Sequence, residues 1–108
     1  MSSPIPESDW KLFKTVREQA FNRFTTKVLE DCRALCDHDG RPPAERFDAL
    51  SRLTRQRDKD IGRLFGHSSR SSATLALMVL RAEGLVDDQD VARFSPETQA
   101  ASRPVGDT

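Results

Sequence analysis

From Ala73 to Ala82 the chain runs Ala-Thr-Leu-Ala-Leu-Met-Val-Leu-Arg-Ala, a nearly uncharged stretch in a protein that is 31% charged. Wound into a helix, the segment is apolar on almost every side, and a helix apolar all round belongs among other helices. The rest of the chain must therefore supply helical neighbours to enclose it. The expectation is an all-α fold: an irregular bundle of three main helices plus a short fourth, with the third helix central. A sheet is disfavoured because tyrosine is absent, only 5 glycines occur, and no run of β-branched residues suits a strand.

A length of 108 residues accommodates one domain. Its hydrophobic fraction of 36% leaves little apolar material once the central helix is enclosed, which makes self-association a natural way to cover leftover surface. Residues 1–7 read as a disordered leader and 102–108 as a disordered tail, bracketing a single helical domain over 8–101. Ser8 stands as the first N-cap, with Asp9 in the first turn suited to the helix dipole. From Trp10 onward, apolar residues recur in steps of three and four: Phe13, Val16, Ala20, Phe21, Phe24, Val28, Leu29, Cys32, Leu35 and Cys36. They predict a first helix near 9–37 with one wide apolar face. At 1.5 Å per residue it spans roughly 40 Å, more than a compact chain with a radius of gyration near 13 Å covers easily (about 13 Å by size scaling). Either the helix bends or a second molecule covers part of its face.

The turn at Asp37–Pro43 leads to a second helix near 43–65, with Phe47, Leu50, Leu53, Ile61, Leu64 and Phe65 inward. Gly66 is expected to end it in the left-handed conformation. A serine-rich connector precedes the third helix, near 71–83, which Gly84 closes. Asp87 or Asp88 caps a short helix near 88–94, and Ser95-Pro96-Glu97 starts a further turn or two.

Lys+Arg and Asp+Glu balance at 17 each, so the whole molecule has no bias toward nucleic acid or anionic membrane. The charge is uneven: residues 41–70 hold eight Lys/Arg and four Asp/Glu, while 83–98 hold five acids and Arg93. No signal-peptide pattern opens the chain, and Leu75–Leu80 falls far short of the ~20 residues of a membrane helix. A cytoplasmic protein that does not engage membrane is expected.

Arg57 falls on the apolar stripe of the second helix, where a guanidinium needs a carboxylate or carbonyls. It reads as a structural bridge or a snorkelling side chain, with a recessed anion or metabolite site as the sharper alternative. Arg52, Gln56, Lys59 and Arg63 share one exposed face, and Arg70 follows in the connector. Together they are the candidate partner-binding residues. A helix–turn–helix reading fails because the third helix offers no polar block to base edges. Ser68–Ser72 suits capping better than phosphate binding, since it lacks the glycines of nucleotide loops. Cys32, Cys36 and His38 lack a fourth ligand, so reduced core cysteines are favoured over a metal site. No catalytic motif is present, and neither a catalytic residue nor a cofactor is expected.

Asp9-Trp10-Lys11 with Phe13, Arg17, Phe24, Arg57-Asp58, Arg70-Ser71, Gly84-Leu85 and Arg93-Phe94-Ser95-Pro96-Glu97-Thr98 resembles a group of small bacterial proteins of unknown function. The resemblance implies a compact helical bacterial protein and brings no activity or site residues. The leading expectation is a non-enzymatic protein-interaction or regulatory module, docking a protein partner or a second copy. Nucleic-acid binding through Arg52, Lys59, Arg63 and Arg70 is the runner-up.

Overall fold

The computed structural model of the chain describes residues 5–67 and 69–105. Its elements are α1 (Glu7–Cys36), α2 (Pro43–Phe65), α3 (Ala73–Ala82), α4 (Asp88–Ala92) and α5 (Pro96–Ala101), with a 3-10 turn at Arg70–Ser72 leading into α3. No strand occurs among the described residues, and the fold is a small helical bundle. α5 adds a helix to the four of the main expectation, where the Ser95-Pro96-Glu97 signal starts it. The expected leader and tail lie partly outside the described residues, at 1–4 and 106–108. Inside them, Ile5 is buried and its carbonyl accepts from Arg70, while Ser102 is fully buried.

Helix ends are set by local chemistry; α3 and α4 are shorter than expected, at 73–82 and 88–92, and two ends differ in how they are closed. α1 begins one residue before Ser8, because the Pro6 carbonyl already accepts from Trp10 N–H at 2.9 Å. Gly66 keeps an ordinary right-handed backbone (φ −74°) instead of a left-handed one. The Phe65 carbonyl, one of those a helix end leaves free, accepts from the Arg17 guanidinium of α1. Gly84 does take positive φ (73°). Around it Leu85 N–H bonds Leu80 O at 3.0 Å and Gly84 N–H bonds Arg81 O at 3.1 Å, the paired bonds of a Schellman ending. Asp87 and Ser95 cap α4 and α5 through their side chains, accepting from Asp90 N–H and Thr98 N–H.

α1 and α2 form an antiparallel hairpin. Arg17 near the start of α1 meets the end of α2, and Arg46 near the start of α2 donates to the Cys36 carbonyl at the end of α1, 2.6 Å away. Burial divides this hairpin sharply. In α1, Asp9, Phe13, Val16 and Ala20 are buried and no residue from 21 to 36 is. In α2 only Leu64 and Phe65 are buried. These buried ends pack with Leu77 and Leu80 of α3, Val91 and Phe94 into one core. The remainder of the hairpin projects from this head as a two-helix arm. The result is a molecule of 53 × 26 × 24 Å with a radius of gyration of 17.0 Å, against about 13 Å for a compact chain of this length.

α3 is less enclosed than its composition implies. Ala73, Ala76, Leu77 and Leu80 are buried, but Leu75 is 47% exposed and Ala82 is exposed. α4 and α5, five and six residues long, are too short to cover its outer side.

Candidate interaction surface

Arginine dominates the polar architecture, and five arginines reach from one element to backbone carbonyls of another part of the fold. Arg17 and Arg46 close α2 and α1. Arg23 donates to Leu85 O at 2.8 Å, Arg81 to Gln99 O at 2.8 Å and Arg70 to Ile5 O at 2.9 Å. Each supplies a donor to a carbonyl left free at a helix end or in a connector. Arg17, Arg23, Arg70 and Arg81 tie the head together in this way, and Arg46 closes the tip of the hairpin.

The buried acids work in the same way. Asp9 receives Ser95 Oγ and Thr98 Oγ1, both at 2.6 Å, and Ser95 N–H at 3.1 Å. It thereby pins the start of α5 to the start of α1. Burial alone would push the Asp9 carboxyl up, but the two hydroxyl bonds and the backbone bond together outweigh it and hold its pKa below the ordinary aspartate value. The sequence offered Asp9 only as a first-turn dipole partner. Its partners lie 86 and 89 residues away, and no spacing rule connects them. Asp90, also buried, faces Arg23 at 3.5 Å and Arg93 at 3.7 Å.

The candidate partner-binding residues fall in two places. Arg52 pairs with Asp48 at 2.9 Å, Gln56 donates to Asp60 at 3.3 Å, and Arg63 bridges Asp60 at 3.7 Å and Glu83 at 3.0 Å. The hydrogen bond to Glu83 is the main reason the Arg63 pKa rises above its usual value. Lys59 is exposed on the same helix. Arg70 stands apart on the head, 2.7 Å from Glu7. The sequence's candidate buried charge, Arg57, is not buried: a third of its side chain (33%) is exposed, and it reaches Asp60 at 3.2 Å. One turn of helix separates the two, so a local carboxylate neutralises the stripe-breaking arginine. Arg57, Asp60, Arg63 and Glu83 face Lys27 and Asp31 of α1 across a cleft of about 320 Å³, which holds three cations and three anions.

The other flank of the arm differs in kind. Leu29, Cys32 and Cys36 recur at steps of three and four on α1, and Pro43, Phe47, Leu50 and Thr54 do so on α2. Cys36, Pro43, Arg46, Phe47 and Leu50 border one shallow groove of about 290 Å³, which puts both stripes on the same side of the hairpin. Leu29 is 69% exposed and Phe47 61% exposed. Phe47 was expected inward; among the described residues no third layer lies over the two-helix arm to receive it. Cys36 was expected in core and is exposed, whereas Cys32 is half-buried. Among the described residues no three His, Cys, Asp or Glu side chains gather to hold a metal ion. Nor is any helix among them long and apolar enough to cross a membrane.

Fold and surface together define a class: a helical head carrying a two-helix arm with one ion-paired flank and one apolar flank. Comparison with known proteins adds no relative, since no family model, curated protein or solved structure matches the chain.

Proposed function

We propose that this protein is a non-enzymatic interaction module that docks protein through the apolar flank of its arm. The observation that carries the reading is that Leu29 and Phe47, two large apolar side chains more than three-fifths exposed, lie on one flank of an arm that no third element covers among the described residues. Isolated apolar residues are ordinary on a protein surface, but a stripe of them on a projecting element is how interaction sites are built. The opposite flank supports the same choice. Its Arg52, Arg57 and Arg63 are paired with Asp48, Asp60 and Glu83, which offsets much of the positive charge that phosphates would need. In the cytoplasm, where we place the module, Cys32 and Cys36 are kept as thiols.

A photo-reactive amino acid at position 47, introduced in cells that make the protein, tests this reading. Light should produce a protein adduct there, and a probe at Arg52 on the ion-paired flank should give little or none. Equal yields at the two positions, or none at either, would refute docking through this flank.

A further inference from the structure

The occupant of the apolar flank can be argued from the molecule's own surface. A protein of 12.2 kDa exposes about 6,100 Å² when compactly folded. This chain exposes 7242 Å². The excess, about 1,100 Å², exceeds the 800 Å² or so that each partner contributes to a standard interface. The uncovered arm is a source of that excess, and its apolar flank is the part least suited to water.

Resting on the reading above, we infer that the partner is a second copy of this chain, docked flank to flank with the two arms running in opposite directions as a four-helix bundle. Three observations select this arrangement. First, the flank carries apolar side chains toward both ends, Pro43 and Phe47 near the tip and the partly exposed Phe21 near the head, with Leu29 between them, so each copy can offer them to the other as an isologous contact requires. Second, the head is bulkier than the arm, and opposed arms place the two heads at opposite ends. Third, the flank's edge carries two exposed charges, Arg33 and Asp58, neither of which makes an ion pair among the described residues. Arg33 is one turn beyond Leu29 toward the tip, and Asp58 one turn beyond Thr54 toward the head. Opposed arms carry the Arg33 half of one copy over the Asp58 half of the other. The same geometry sets Leu29, midway along the arm, near its own counterpart. It also brings Phe47 near the tip level with Phe21, 37% exposed near the partner's head.

Sedimentation of the full chain over a wide concentration range tests the pairing. The mass should rise from 12.2 kDa toward twice that value. Leu29→Glu and Phe47→Glu should each raise the dissociation constant at least about tenfold, which corresponds to about 1.4 kcal/mol, while leaving the helical circular dichroism unchanged. Arg33→Glu and Asp58→Arg should each weaken pairing, and the double variant should restore it. A mass that stays at one chain throughout overturns the inference, as does a dimer indifferent to positions 29 and 47. Weakening by both single charge changes without restoration overturns the opposed arrangement. A monomer that still forms adducts with another protein through position 47 removes the second copy and leaves the interaction reading standing.

Discussion

Asp9 gathers more of the fold's polar design than any other single residue. It is 4% exposed, and three donors from the start of α5 converge on its carboxylate. Asp9→Ala leaves Ser95 Oγ, Ser95 N–H and Thr98 Oγ1 without their acceptor. A loss of about 2–4 kcal/mol in urea unfolding is expected, at roughly 1 kcal/mol per bond and more for a charged partner. The pH dependence follows from the lowered pKa. In the unfolded chain the group titrates near its ordinary value, about 3.9, and in the folded protein below it. The unfolded state therefore binds more protons between the two values, so stability rises with pH through that window. The contribution is complete above the ordinary value and is lost as pH falls through the folded one. Asp9→Asn should flatten the acid limb of a stability-against-pH series; an unchanged limb would assign it to other carboxylates.

At the scale of elements, two glycines should respond in opposite directions. Gly84 holds φ +73° with open space where a Cβ would sit, so an alanine there meets backbone strain and no clash. Gly84→Ala should destabilise by about 1–2 kcal/mol, the usual penalty of the left-handed region. Gly62 lies inside α2 with nothing within 4 Å of a Cβ. Gly62→Ala should stabilise by up to about 1 kcal/mol through helix propensity. Thermal unfolding of the pair checks both signs. The contrast also marks what was legible in sequence. Gly84 follows an apolar helix and reads correctly as a left-handed ending. Gly66 carries the same signal but stays right-handed, and the end of α2 is tied instead to α1, through the Arg17 guanidinium on the Phe65 carbonyl. Nothing local to Gly66 announces Arg17.

At the scale of the molecule, head and arm should differ in local stability. The arm is two helices with no buried residue beyond position 20 of α1 or before position 64 of α2. Few buried contacts mean cheaper local opening. Hydrogen exchange at concentrations low enough to keep the chain monomeric should show arm-tip amides, around residues 30–36 and 46–52, exchanging well before those of α3. Uniform protection along α1 would contradict the division. Raising the concentration should slow the arm selectively if arms pair, with the head unaffected.

The helical class, the extents of α1 and α2, the break at Asp37–Pro43 and the caps of α4 and α5 could all be read from the chain, because they depend on spacings of a few residues. Periodicity marks which side of a helix is apolar, and proline, glycine, serine and aspartate mark where it stops. It could not say how much of that side is covered. Leu29 and Phe47 sit in register with Val28 and Leu50 and carry the same signal, yet stand in water, because burial depends on how many layers lie above an element. Composition overstated the enclosure of α3 for the same reason. The arginine-to-carbonyl ties and the Asp9 junction belong wholly to the tertiary structure: their partners meet across as many as 89 residues, and only the folded packing brings such groups within hydrogen-bond reach.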